Sequence, residues 1–256
     1  MAFENIRIET HGHIAVLTLD RPPANPVNLA TVEEIGRALD TLEADTAVRV
    51  VIITGAGEKG FCAGFDVSDF ANAEKVGPMG QAAWTRIDRF AKPVIAAING
   101  FAFGGGCELA LACTFRIMTD SPKAKIGLTE LNLGIIPGWG GTQRLSRIVG
   151  KAKALDLILF SRRLTAVQAH EIGLVDRVSP PGRALEDALE MATALAKRPP
   201  IAVSCVIKAM TAGQDFGIDK GLAVELEGSR QVAASEDARE GFTAFLEKRE
   251  PVFKGE

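Results

Sequence analysis

The sequence predicts an α/β fold followed by a helical tail, and three observations carry that reading. Short β-branched runs alternate with helical periodicity through the first half of the chain, the pattern of layered α/β architecture. One run, residues 48–54 (VRVVIIT), is almost continuously apolar, as expected of a strand covered on both faces. Past about residue 165 the pattern becomes a succession of helices. We assign an α/β core to residues 1–190 and a helical region to residues 191–256.

Taken in order, Ile14–Leu19 (IAVLTL) reads as a strand ended by Asp20, Pro22 and Pro23. Asn28 is placed to cap a helix carrying Leu29, Val32, Ile35, Leu39 and Leu42 on one face. Residues 94–99 (VIAAIN) form a second buried strand, followed by a glycine turn, a helix over 105–113 and a strand over Phe115–Thr119. Thr165 and Gln168 have the spacing of a capping box. Helical patterns then cover residues 182–197, 200–212, 218–233 and 236–248. Ser235 starts the last of these, with Glu236 and Asp237 in its first turn, where acids favour the helix dipole.

Composition narrows the function classes. A chain of 256 residues buries roughly three-quarters of its unfolded surface and needs no staple of metal or disulfide. With 29 Lys plus Arg against 32 Asp plus Glu, the net charge of −3 gives no nucleic-acid footprint. Cys62, Cys107, Cys113 and Cys205 form no C-x-x-C pair and read as reduced thiols. No signal-peptide pattern and no apolar run of about 20 residues is present, so the expectation is a soluble, cytoplasmic protein with no membrane partner.

Gly55, Gly57 and Gly60 match G-x-G-x-x-G after a strand, but the following Phe61-Cys-Ala-Gly64-Phe-Asp66 does not open a helix, so the segment reads as a loop. No P-loop and no G-x-S-x-G elbow occurs. His11, His13 and His170 form no H-E-x-x-H pattern and read as surface residues; no metal site is expected.

Chemistry concentrates in two glycine-rich segments. In Gly104-Gly-Gly-Cys-Glu108, three glycines bare the backbone N–H groups where a helix begins, which suits a developing oxyanion. Glu108 follows in an apolar helix, where a carboxylate is costly unless paired or held for function. Glu130, 22 residues on, also interrupts an apolar stretch. If the two meet, desolvation and mutual repulsion hold one proton on the pair near neutrality. Each acid, taken alone, reads equally well as an exposed residue.

Four motifs carry a resemblance: Phe61-Cys-Ala-Gly-Phe-Asp66, Lys92-Pro-Val-Ile-Ala-Ala-Ile-Asn-Gly100, Gly104-Gly-Gly-Cys-Glu108, and Leu133-Gly-Ile-Ile-Pro-Gly-Trp-Gly-Gly-Thr-Gln-Arg144. Residues 240–249 (EGFTAFLEKR) add a fifth match. Over nearly its whole length the chain resembles the crotonase, or enoyl-CoA hydratase/isomerase, superfamily. The resemblance implies a spiral of ββα units with a helical C-terminal trimerisation region. It implies reversible addition of water across the 2,3 double bond of an enoyl-CoA, in short-chain acyl-CoA metabolism and fatty-acid β-oxidation. CoA enters as part of the substrate, and no metal or other cofactor is implied. Glu108 would be the base and Glu130 the proton source, with the Ala63 and Gly105 N–H groups as the oxyanion hole. Residues Ala63, Gly64, Phe65 and Asp66 would line the thioester path, with Lys59 near the CoA phosphates. The resemblance also implies a trimer or a hexamer built as a dimer of trimers, in which Phe253 and Lys254 reach CoA on a neighbouring subunit. Phe65 and Trp139 are bulkier than usual near the acyl group, so a cyclic dienoyl- or alkenoyl-CoA hydratase stands as an alternative, as does a double-bond isomerase.

Overall fold

A computed structural model describes residues 3–57 and 59–256. Strands β1 (Ile6–His11) and β2 (Ile14–Leu19) form an antiparallel hairpin, and helix α1 (Leu29–Ala44) follows. Asn28 caps α1 by accepting the Thr31 N–H at 3.0 Å, as its position in sequence predicts. The chain then makes three turns of a spiral. Each turn gives one strand to a large sheet and one short strand to a small sheet. The pairs are β3 (Val50–Gly55) with β4 (Gly60–Cys62), β5 (Val94–Ile98) with β6 (Phe101–Phe103), and β7 (Phe115–Thr119) with β8 (Ile126–Gly127).

Between β4 and β5 lie a 3-10 turn over Val67–Asn72 and helix α2 (Ala73–Asp88); α3 (Gly105–Ala112) joins β6 to β7. A 3-10 turn over Glu130–Leu133, α4 (Gly141–Val149), α5 (Lys151–Leu159) and α6 (Ala166–Glu171) precede β9 (Arg177–Ser179). The large sheet has the order β1-β2-β3-β5-β7-β9, parallel from β2 onward, and the small one is β4-β6-β8, also parallel. The expected spiral is therefore present. The intervals between its turns differ, which is why no fixed-period repeat is visible in the sequence.

Strand β3 explains why residues 48–54 are almost continuously apolar. Val51 and Ile53 point into the main core with α1, while Val50 and Ile52 enter a second core against α7 (Ala184–Ala196) on the opposite face. That second core is closed by Ala188, Ala192 and Ala196, whose small side chains let α7 lie close to the sheet. Beyond it come α8 (Pro200–Phe216), α9 (Ile218–Ala233) and α10 (Glu236–Glu247). Ser235 caps α10, and Thr165 with Gln168 forms the expected capping box of α6. No helix is long and apolar enough to cross a membrane among the described residues.

Helix α2 was not foreseen. Gly77, Pro78 and Gly80 depress its helical propensity, and burial of Val76, Trp84 and Ile87 holds it in place instead. The G-x-G-x-x-G segment leads into a short strand, not a helix. Asn99 Nδ2 donates to the Gly55 and Gly57 carbonyls (2.9 and 2.8 Å), and Asn25 Nδ2 to those of Ala56 and Gly60 (3.0 and 2.9 Å). Glu58 of that segment lies outside the described residues. All three histidines are exposed.

Candidate active site

Helix α3 is buried on every side, so its residues are small or apolar with one exception, Glu108. Only 2% of Glu108 is exposed. Its Oε1 accepts the N–H groups of Trp139 (2.7 Å) and Gly141 (2.8 Å), both from the turn that opens α4. Burial raises its pKa, and those two donors together with the charge of Arg144 draw it partly back. The alternative of an outward-pointing residue on an amphipathic helix is thereby set aside.

Glu130 begins the second 3-10 turn and is 8% exposed. Neither of its carboxylate oxygens has a hydrogen-bond partner among the described residues. Desolvation, reinforced by the charge of Glu108, pushes its pKa up to about 7; the Thr129 and Glu130 N–H groups lie near enough to moderate the rise without forming aligned bonds. Both glutamates line one cavity of about 490 Å³. Its remaining wall is apolar backbone and side chain, including Phe65, Val76, Leu133, Ile136 and Trp139, with Thr129 as its other polar residue.

At the mouth of α3 the chain brings two loops together. Gly64 has φ +88° and packs so that a Cβ there would lie 2.8 Å from the Gly105 nitrogen. As the first residue of α3, Gly105 has no intrahelical acceptor for its N–H. The expected second donor, Ala63, is a correction: its N–H already donates to the Ala24 carbonyl at 3.0 Å. The segment around residue 65 pairs with residue 27 as an isolated bridge, in which Val27 N–H donates to the Gly64 carbonyl and Asp66 N–H to the Val27 carbonyl. Phe65 N–H lies between these bonds and has no acceptor among the described residues. The free donor beside Gly105 thus belongs to Phe65, two residues on from Ala63.

The aromatic residues sort out as walls. Trp139 is edge-on to Trp84 (centroids 5.3 Å apart) and to Phe65 (6.5 Å). Its indole lies over two bare positions, Gly80 on α2 and Gly105 on α3, where any Cβ would collide with the ring. Trp84 Nε1 donates to the Gly105 carbonyl at 2.9 Å and so holds the start of α3.

The outlying candidates fare differently. Asp66 caps the first 3-10 turn by accepting from Ser68, and it pairs with Arg21 at 2.9 Å; Ser68 above all, then Arg21, hold its pKa below the usual carboxylate range. Its carboxylate is therefore engaged within the fold. Ala63 and Phe65 line the cavity, whereas Lys59 is exposed outside its wall. Phe253 and Lys254 do not border it: Phe253 lines a separate apolar groove of about 740 Å³ with Pro199, Ala202, Phe242 and Phe245. Among the described residues, no group of three or more His, Cys, Asp or Glu is placed to hold a metal ion.

Sequence reasoning missed Phe65 N–H, the Trp139 and Gly141 donors, and Arg144 behind them. The only available signal was the Pro-Gly-Trp-Gly-Gly run, whose glycines expose backbone but do not say toward what.

Comparison with known proteins yields a consistent set. The sequence profile described as "Enoyl-CoA hydratase/isomerase" matches residues 9–256. A short-chain-enoyl-CoA hydratase of Clostridium acetobutylicum is 41% identical over 97% of each chain. A 2,3-dehydroadipyl-CoA hydratase of Escherichia coli is 40% identical, covering 97% of this chain and 98% of its own. The crystal structure of an enoyl-CoA hydratase from Bacillus anthracis superposes with a TM-score of 0.95 at 42% identity, covering 99% of this chain and 100% of that one.

Proposed function

The chain belongs to the enoyl-CoA hydratase/isomerase family, and on that premise we propose that it adds water across the 2,3 double bond of enoyl-CoA thioesters with an apolar acyl chain. The observation that carries this reading is the contrast within one cavity: Glu108 is held by two N–H donors, while Glu130 is held by none among the described residues. A carboxylate with donors stays ionised more easily than one without, so the single proton shared by the pair resides on Glu130 near neutrality.

The thioester carbonyl oxygen accepts from the N–H groups of Phe65 and Gly105, which draws electron density from C3. Water attacks C3 as Glu108 takes one of its protons. The negative charge passes to the carbonyl oxygen, where the two N–H groups hold it as an enolate. Glu130 then delivers its proton to C2, and the C=O bond re-forms. One proton has moved onto Glu108 and one has left Glu130, so the pair again holds a single proton, and transfer between them restores the starting state. Neither a metal nor a redox cofactor takes part.

The cavity wall supports an apolar acyl group, because among the described residues no Lys or Arg lines it to meet a second carboxylate on the substrate. The ω-carboxylated acyl group named for the Escherichia coli relative would find no counter-charge here. Linear short-chain and cyclic enoyl groups are both compatible with walls built from Phe65 and Trp139.

The same reading includes a cytoplasmic homo-oligomer, trimer or hexamer, acting in fatty-acid β-oxidation. The oligomer is supported by the apolar face left open on the C-terminal helices, where Phe242, Phe245 and Leu246 are 75–81% exposed. In such an assembly Phe253 and Lys254 would meet CoA on a neighbouring subunit, and Lys59 the phosphates of its own.

The test is a panel of straight-chain, cyclic and ω-carboxylated enoyl-CoAs, followed by loss of the conjugated-thioester absorbance. Apolar members should be hydrated and ω-carboxylated ones poorly or not at all. If no member is hydrated, the reading is wrong.

A further inference from the structure

Arg144 is 7% exposed and lies behind the turn that grips Glu108. Its Nη1 donates to the Trp139 carbonyl at 2.8 Å, and its Nη2 to Thr85 Oγ1 at 3.2 Å. Its Nε stands 3.1 Å from Asp88 Oδ2, an ion-pair contact that is not aligned as a hydrogen bond. A guanidinium in this position needs room, which Gly140 provides: a Cβ there would collide with it.

The position of these contacts along the backbone gives them their meaning. Glu108 accepts from the N–H of Trp139 and from that of Gly141. The Trp139 carbonyl belongs to the peptide between those two donors, and Arg144 pins that peptide. Loss of that anchor would loosen the turn that presents both donors. Arg144 and Asp88 sit on different helices, α4 and α2, so the turn is anchored to the α/β unit from outside the cavity.

We propose that Arg144, backed by Asp88, is a positioning residue for the reaction: it fixes the 139–141 turn and so holds Glu108 ready to take a proton as water attacks C3. The proposal rests on the hydratase reading above. Neither residue lines the cavity, so neither is assigned contact with substrate.

The charges around Glu108 are few. Glu130 of the second 3-10 turn shares the cavity, its own ionisation opposed by Glu108, and Arg144 of α4 favours the ionised form of Glu108. From α2, Asp88 reaches Glu108 only through Arg144. Cys107 on α3 and Cys62 on β4 are buried thiols whose pKa burial raises, Cys62 to about 12, so both are neutral; β6 contributes no titratable group. Arg116 of β7 bears on the Cys107 and Cys113 thiols of the same segment, so removing Arg144 takes away the cation that, among the described residues, acts on Glu108 itself.

The sign of the effect follows. The acid limb of kcat/KM against pH reports ionisation of the base in the free enzyme. In Arg144→Met the limb should move to higher pH by about one unit, since a nearby cation depresses a carboxylate by that order. kcat should fall by about tenfold or more, with KM changed little. Arg144→Lys, which keeps the charge and loses the fork, should recover most of the limb position but only part of kcat. Asp88→Asn unmasks the Arg144 charge, so its limb should move the opposite way, by a smaller amount.

The experiment is the pH profile of crotonyl-CoA hydration for the wild type and these three variants, each checked for folding by circular dichroism. Opposed shifts in Arg144→Met and Asp88→Asn establish the positioning role. Unmoved limbs in folded Arg144→Met and Asp88→Asn overturn it, leaving Arg144 as packing alone. If Arg144→Met does not fold, a limb moved to lower pH in Asp88→Asn together with a lowered kcat in Arg144→Lys supports the role, and an unmoved Asp88→Asn limb overturns it. Failure of the wild type itself to hydrate crotonyl-CoA or any other enoyl-CoA would count against the hydratase reading, a result distinct from a wild type that turns over with variants whose limbs stay fixed.

Discussion

Glu108 stands in the first turn of a buried helix and accepts two backbone N–H groups, whereas Glu130, on a short 3-10 turn bordering the same cavity, accepts none among the described residues. The residue type is the same and both are almost fully enclosed, so the contrast isolates what backbone donors do for a buried carboxylate. Two N–H groups and a cation keep one acid ready to receive a proton, and their absence keeps a proton on the other near pH 7. A single fold thereby produces a base and an acid from identical side chains.

The most severe way to break the contrast is to remove the proton chemistry while keeping the shape. Glu108→Gln retains an oxygen able to accept the Trp139 and Gly141 N–H groups, and Glu130→Gln adds little volume. Each should lower hydration by about 10²–10⁴-fold, the usual contribution of a general acid or base. A double-bond isomerase that shuttles one proton would keep its activity in one of the two variants, and that asymmetry is the result to look for in single-turnover assays.

A smaller effect is expected at the oxyanion donors. Gly105→Val should reduce turnover by about 10²-fold, the order seen when one such donor is lost. The new side chain would drive into Trp139 and displace the start of α3. A folded Gly105→Val enzyme with an unchanged rate would remove Gly105 from the site.

The mildest test sharpens the contrast without assaying catalysis. Because Glu130 is pushed from 4.5 to about 7 in the folded protein, the folded chain keeps a proton that the unfolded chain releases between those pH values. Stability from this group is therefore present at low pH and lost as pH rises through about 7. Glu130→Gln should relieve the penalty, gaining up to about 3 kcal/mol relative to the wild type at pH 8 and little at pH 4. Equal gains at both pH values in urea unfolding would mean that Glu130 titrates normally.

What the sequence made legible follows from how local each signal is. The two-sided burial of β3 is written in its run of β-branched residues, and Asn28, Thr165 and Ser235 mark helix starts because capping is decided within three residues. The strands of the small sheet span two or three residues, too few to show any period. Helix α2 contradicts its own propensities and exists through burial supplied by distant segments. The same division runs through the site. Glu108 and Glu130 are visible as acids in apolar surroundings, but the free N–H belongs to Phe65 and not Ala63 because of a bridge to residues 24–27, nearly forty positions away. No local pattern encodes that pairing.

Trp139, Gly80 and Gly105 come from three separate helical or turn segments and meet at one indole ring. A side chain added at either glycine is opposed by the ring, and a smaller residue at 139 would leave both glycines facing an empty slot. The three positions thus form one unit of change. In a lineage carrying tryptophan here, neither glycine is free to drift, while loss of the tryptophan releases both at once and alters the wall against which the acyl group rests. Substitutions at these sites should be strongly non-additive, so the shape of this cavity changes in steps rather than by gradual adjustment.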